Sequence, residues 1–289
     1  MAFGSARSHP VVALLREVLA QWRKDRALAH GAALAYYTLF SMAPLLVLVI
    51  AVAGLALGRA AAQGEIVGQV AGLMGPEGAR MVEGMILRAS KPTSGIVATL
   101  ASLAAMFLGA SGVFGELQTT LNDIFRAPPP ARRGIRGLVR QRVAYLGMIV
   151  GIGFLLLTSL VVSAALAALD QLLAESLPVA SRILPALNFS VSFLVIAGLF
   201  ALIYRALPDV KLHWRDLGIG AAITSLLFTV GKSLIGLYLG RAGTTSVYGA
   251  AGALVLVLLW IYYSAQVLFL GAEFTEVYSR RYGSRSRPG

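Results

Sequence analysis

The residues of this chain that can do chemistry lie inside or beside long apolar runs, and they recur at helical spacing. Gly112, Glu116, Thr119 and Asp123 follow i, i+4, i+7 and i+11, with Ser111, Gly115, Gln118 and Asn122 beside them in the same register. One broad helix face is therefore small and polar. Tyr262, Gln266, Glu273 and Glu276 form a second ladder, while Tyr36, Tyr37, Thr38 and Ser41 lead into Pro44. Lys232 is the one Lys or Arg inside an apolar run. Carboxylates, amides, phenols and an ammonium in a low-dielectric bundle either bind a polar solute or pair with one another and hold helices together.

The same residue types make no catalytic set. Cysteine is absent, and His9, His30 and His213 show no ligand spacing, so neither a thiol nucleophile nor a metal centre is expected. Gly231-Lys232-Ser233 has the look of the end of a phosphate-binding loop, yet Leu226 stands where that loop needs glycine and no strand precedes it. Gly109-Ala110-Ser111-Gly112 falls one residue short of a nucleophile elbow, because position 113 is Val113. The expectation is a protein that is not an enzyme and takes no cofactor.

Helices that cross a membrane must position these groups. Of 289 residues, 57% are hydrophobic and 13% charged, where soluble domains carry about 25% charge. Runs of the about 20 residues needed to cross hydrocarbon extend over Ala27 to Gly58, Gly95 to Gly115, Val143 to Leu169, Ile183 to Tyr204, Leu217 to Gly240 (interrupted by Lys232) and Gly249 to Ala272. The fold class is all-α, a polytopic integral membrane protein with six transmembrane helices. Six crossings put both termini on one side, and the positive-inside rule selects it. Lys and Arg number five in the N-terminal segment, six in 126–142, three in 205–216 and four in the C-terminal tail, or eighteen, against six in the alternate segments. Both termini are therefore expected in the cytoplasm, in a bacterial inner membrane once the resemblance below is added. The net charge of +12 lies where insertion requires it, and no basic stripe is interleaved with stacking aromatics, so nucleic acid is not an expected partner. Membrane lipids are, with an anionic lipid or small molecule as the candidate substrate.

Depth follows from the helix rise. At about 1.5 Å per residue, Glu116 lies about 31 Å from Gly95 and Glu273 about 35 Å from Gly249, both near cytoplasmic ends, whereas Lys232 is about 22 Å in from Leu217, in the outer half. Lys232 and Glu116 are thus kept apart. The carboxylate ladders are either solvated helix ends in ion-pair networks with Arg126, Arg205, Lys211 and Arg215, or walls of a cytoplasm-facing vestibule. Lys232 either snorkels outward or offers a partly desolvated cation to an anionic substrate or lipid head group. Pro44 removes the backbone bond to the Phe40 carbonyl and predicts a bend in the first span, with Thr38 or Ser41 rescuing freed groups. That bend is either a hinge lining a cavity or static packing.

Outside the 27–272 transmembrane domain, residues 1–26 read as a cytoplasmic amphipathic segment without a cleavable signal. Val11, Leu15, Val18 and Trp22 line one side of it and Arg16, Arg23 and Lys24 the other, a pattern that suits either an anionic leaflet or a short helix packed on the bundle. The external segment 59–94 reads as two short amphipathic helices capping the outer face, broken at Gly75-Pro76. Pro128-Pro129-Pro130 cannot continue a helix and opens the basic cytoplasmic loop 126–142; 273–289 is a basic cytoplasmic tail.

A family resemblance rests on several of these residues. Leu34-Ala35-Tyr36-Tyr37-Thr38-Leu39-Phe40-Ser41-Met42-Ala43-Pro44, then Leu117-Gln118-Thr119-Thr120-Leu121-Asn122, Tyr204 with Pro208, Tyr248-Gly249, Trp260-Ile261-Tyr262-Tyr263 and Gly271-Ala272-Glu273 together resemble the YihY/BrkB family of bacterial inner-membrane proteins, over roughly Leu28 to Tyr282. The resemblance implies a six-helix membrane protein with a proposed role in envelope transport or lipid export and a link to virulence in some members. Members have also carried a ribonuclease label, to which this sequence lends nothing, for want of a metal-binding cluster or a soluble basic domain. No agreed site residues come with the family. The leading expectation is a transporter or lipid-handling protein with Tyr36, Tyr37, Ser41, Pro44, Glu116, Gln118, Asn122, Lys232, Tyr262, Gln266 and Glu273 around its cavity; the alternative is a non-transporting scaffold that recruits envelope partners.

Overall fold

A computed structural model describes residues 10–89, 112–128, 158, 180–241 and 252–285. Val143 to Leu169 (apart from residue 158), Gly95 to Ser111 of the second run, Gly249, residues 90–94, the basic loop beyond 128 and the tail beyond 285 lie outside these, so the third span and most of the second do too. Among the described residues the ordered elements are helices and no strand occurs. They are α1 (Pro10–Lys24), α2 (Ala27–Leu57), α3 (Arg59–Ala89), α4 (described over 112–124), α5 (Ala180–Ala206), α6 (Trp214–Arg241) and α7 (Gly252–Arg281). Segments of α5, α6 and α7 are long and apolar enough to cross a membrane, and α2 has no Asp, Glu, Lys or Arg in 31 residues. Two compact units divide the chain: the first comprises 1–27, 119–227 and 267–289, the second 28–118 and 228–266.

In the first unit, Leu121, Ile124, Phe125, Tyr204, Leu207, Leu217, Phe269 and Val277 are buried, and α6 crosses α7 through small residues. A Cβ on Gly220 would fall inside the Thr275 side chain, and one on Gly271 would fall on Thr224 and 2.7 Å from the Tyr204 hydroxyl. Gly220 and Thr224 on α6 thus face Thr275 and Gly271 on α7, each glycine receiving the partner's threonine, which brings the backbones close. Both threonine hydroxyls are satisfied inside their own helices: Thr224 donates to the Gly220 carbonyl (2.7 Å) and Thr275 to that of Gly271 (2.6 Å). Tyr204, wholly buried, donates to the Leu268 carbonyl at 2.7 Å. α7 remains helical through Glu273, Glu276 and Arg280, so residues 273–281 are its last turns, continuous with the apolar run that the sequence reads as a sixth span.

In the second unit, α2 is helical across Pro44. Ser41 donates to the Thr38 carbonyl at 3.2 Å, so its hydroxyl does not serve the Phe40 carbonyl that Pro44 leaves free. Gly58, at φ 81°, closes α2 in the left-handed region that glycine enters without penalty, and the chain turns back as α3. Gly75 (φ 78°, ψ 179°) then breaks α3 into two arms, at the Gly75-Pro76 step where the sequence places the break. The arms do not lie as a surface cap, as expected above. Ile66, Val67, Val70, Val82 and Ile86 pack with Met42, Leu46 and Ile50 of α2, while Val70 and Met81 join Leu39, Met42, Phe228, Ile235, Leu256, Val257 and Trp260. Their apolar stripes match the side of α2, and packing there takes apolar surface of both elements out of water.

Candidate functional site

Two groups of polar side chains stand out, one in each unit. The first is built on Arg126. α4 ends in a turn with Arg126 at φ 55° and the Ala127 amide donating to the Asn122 carbonyl at 2.8 Å. That is the position a helix usually gives to glycine, and here an arginine holds it because the side chain is in use. Its guanidinium donates to Asp25 Oδ1 (3.0 Å), Gln21 Oε1 (2.9 Å) and the Asp123 carbonyl (2.9 Å), and lies 2.7 Å from Asp25 Oδ2. Asp25, Glu273 and Glu276 all act on it, and the hydrogen bond it donates to Asp25 above all holds it in the charged form. Glu273 is fully buried, and neither of its carboxylate oxygens accepts a hydrogen bond among the described residues. It is the least exposed carboxyl of the group, and a polar group so buried is costly unless it is paired or hydrogen-bonded.

The same network fastens α1 and the loops. Glu17 pairs with Arg280 and Arg281, and Arg280 also donates to Glu276 at 3.2 Å. Asn122 bonds the side chain and amide of Asp209 (3.1 and 2.7 Å). Asp216, in the first turn of α6, accepts from Ser279 (2.9 Å) and from the amide and hydroxyl of Ser284 (2.9 and 2.7 Å), tying the end of α7 to the start of α6. Partial burial resists ionisation of Glu17, but Arg280 and Arg281 more than offset it and hold its carboxyl below the ordinary value of 4.5. Because folding lowers this proton affinity, the stabilisation is complete above about pH 4.5 and is lost as pH falls through the lower folded-state value. Glu17→Gln should therefore cost about 1 kcal/mol at pH 7 and flatten the loss of melting temperature as pH falls below about 4.5; an unchanged acid limb would remove Glu17 from the anchor.

The second group lies in the second unit. His30 Nδ1 is 2.7 Å from Glu116 Oε1, both partly buried. A Cβ on the neighbouring Gly31 would fall on the Gln266 amide and 3.5 Å from the Tyr262 ring, and one on Gly112 would meet the Tyr37 ring at 2.8 Å. α2, α4 and α7 thus meet through glycines that admit larger polar or aromatic partners. Ser41 and Gln118 are buried, whereas Tyr36 is exposed, 4.7 Å from the Phe40 ring. Lys232 is half-buried, with no hydrogen bond or ion pair among the described residues. Of Pro44 only the backbone is described.

The structure thus gathers Tyr37, Glu116, Tyr262 and Gln266 in one unit and Asn122 and Glu273 in the network of the other. Of the cations expected near the carboxylates, Arg126 is there. Arg205 instead donates to the Leu212 carbonyl (2.7 Å) and lies over the Trp214 ring, and Lys211 and Arg215 are exposed. Sequence reasoning missed His30, Asp25, Glu17 and Asp216. The depth arithmetic that separates Lys232 from Glu116 could have found His30, three residues into the first run. Asp25, Glu17 and Asp216 pair over distances in sequence that carry no periodic signal. Among the described residues no group of three or more His, Asp or Glu is placed to hold a metal ion.

Comparison with known proteins supplies the family. The chain is 33% identical over 198 residues to a UPF0761 membrane protein of Verminephrobacter eiseniae, covering 68% of this chain and 45% of that one. It is 27% identical over 275 residues to a UPF0761 membrane protein of Azotobacter vinelandii, covering 89% and 61%, and 27% identical over 269 residues to one of Rhodospirillum centenum, covering 91% and 57%. The chain spans about half the length of the curated relatives it matches. No solved structure matches it. The family profile described as Virulence factor BrkB matches residues 18–289, nearly the whole of the sequence whose tyrosine pair, proline and Gly-Ala-Glu ending carried the resemblance, and the chain belongs to the BrkB family of membrane proteins.

Proposed function

We propose that this protein is a transporter or lipid-handling protein of the bacterial inner membrane, with six spans and both termini in the cytoplasm, acting on an anionic or amphipathic envelope component. Lys232 is the observation that carries the reading. It sits in α6 between Phe228 and Ile235, two residues that pack toward Trp260, and no anion of the described residues neutralises it. A charged ammonium at such depth costs about 2.5–3.5 kcal/mol on insertion scales, a cost that an anionic ligand would offset. Neither catalysis nor nucleic acid has a part in this reading. The closed network around Arg126 and Asp216 favours the second reading, a non-transporting scaffold, because it holds helices fast and leaves its ion pairs occupied.

Lys232→Met keeps the apolar stem and deletes the charge. Expression and detergent melting temperature should hold, while anionic lipid retained on purification and complementation of a deletion strain should fall together. Full complementation by the variant would sink the anionic-substrate reading and leave the scaffold.

A further inference from the structure

α3 follows α2 back from its C-terminal end. The cluster around Ile50 takes in Ile66, Val67, Val70, Val82 and Ile86 of α3 with Met42 and Leu46 of α2, and the cluster around Trp260 takes in Val70 and Met81 with the α2 residues Leu39 and Met42. Both arms therefore run alongside α2, and the bend at Gly75 is level with about Met42. Arg59 also packs onto Gly54, as a tight reversal at Gly58 requires. Met42 is fifteen residues from Leu57, or about 22 Å down the helix. A 31-residue α2 is about 46 Å long, so centred on about 30 Å of hydrocarbon it projects about 8 Å on each side. The bend then lies about 14 Å below the membrane surface at which α2 ends, close to the midplane.

The outer faces of the arms are polar on the way down to the bend: by the same rise Arg80 lies about 7 Å and Gln69 about 5 Å below that surface, with Glu83 and Glu65 close to it. Gln69, Arg80 and Glu83 are exposed, and Gln69 donates to half-buried Glu65 at 3.1 Å. A charged or amide side chain turned to lipid tails below the surface is disfavoured, and backbone broken at mid-membrane, as at Gly75, persists only against protein or water. We infer that residues 59–89 are a re-entrant helical hairpin whose polar face lines a water-filled vestibule, open on the side where α2 ends, which is the external side on the charge count. Its apolar stripe docks on α2 and α7; its Gln69 and Arg80 face water below the membrane surface, with Glu65 and Glu83 at the mouth. The inference deepens the transport reading by giving polar solutes a route halfway through the membrane, and it rests on α2 as a span.

The chain has no cysteine, so single spin labels can be placed on the full-length protein in vesicles of phosphatidylethanolamine and phosphatidylglycerol. Labels at Phe40 (62% exposed) and Leu259 (47% exposed) report the depth of the bend, and labels at Gln69 and Arg80 report what faces the hairpin. Phe40 and Leu259 should be oxygen-accessible at a depth of about 10–15 Å, with Gln69 and Arg80 open to a water-soluble nickel chelate. Membrane-impermeant methanethiosulfonate should react at Gln69→Cys and Arg80→Cys from outside, while a polymer-linked maleimide too wide for the vestibule should not. Head-group depth at Phe40 and Leu259, with both reagents reacting, would place the hairpin outside the membrane and overturn the inference. Oxygen access without nickel access at Gln69 and Arg80, or exclusion of both by a second copy, would overturn it equally. None of these readouts depends on transport, so a hairpin that passes beside a fully active Lys232→Met would refute the substrate reading alone.

Discussion

Gly271→Leu should prevent recovery of folded protein from solubilised membranes, and Gly271→Ala should already lower the melting temperature in mild detergent. A methyl group there meets Thr224 and the Tyr204 hydroxyl, and neither can retreat freely. Thr224 is wholly buried and bonded to Gly220, and Tyr204 is held by the Leu268 carbonyl. Overpacking a filled core costs about 1–3 kcal/mol, and leucine adds three further heavy atoms to a site with no room for one. Thr224→Ala removes the obstructing hydroxyl and methyl, so Gly271→Ala with Thr224→Ala should recover most of the loss, a coupling that separates packing from any general intolerance of Gly271. Gly218, with open space around it, is the control: Gly218→Ala should be neutral or slightly stabilising. Equal losses at Gly218 and Gly271, without rescue, would disprove the close crossing of α6 and α7.

Arg126→Gly should destabilise the first unit by about 3 kcal/mol, the lower end of the range for breaking a buried pair, because the guanidinium is 43% exposed while Asp25 is only 8% exposed. Glycine is the informative replacement. It prefers the left-handed backbone of this position, so the change removes the side chain while easing the turn, and any loss belongs to the ion pair with Asp25 and the hydrogen bonds to Gln21 and the Asp123 carbonyl. Arg126→Ala should be worse, since it retains the backbone cost. Asp25→Asn should relieve part of the penalty in an Arg126→Gly background by deleting the stranded charge. Melting curves of the four proteins decide it: stability in Arg126→Gly equal to the parent would show that the Asp25 carboxylate needs no cation.

Length, hydropathy and helical spacing made the class legible. Apolar runs too long for a soluble core can only be helices in lipid, since backbone groups there must bond within their own segment. The break at Gly75-Pro76 was equally legible, because proline and a left-handed glycine act locally. So was the nearness of Arg126 to Glu273 and Glu276 at helix ends, since depth along a helix is a matter of counting residues, although its ion-pair partner Asp25 was not.

Tertiary structure decided the partners. Periodicity says which face of α3 is apolar but not whether that face covers the end of the bundle or descends along α2; the matching of Val70 and Met81 to Leu39 and Met42 settles this by where apolar area is buried. Nor could spacing single out Gly220 and Gly271 among 31 glycines, because a close crossing depends on what the opposite helix presents. Glu17 with Arg280, Asp25 with Arg126 and Asp216 with Ser284 join residues up to 263 apart in sequence. Charge pairing at that range has no sequence period, and only the packing of helix ends brings such groups within a few ångströms of one another.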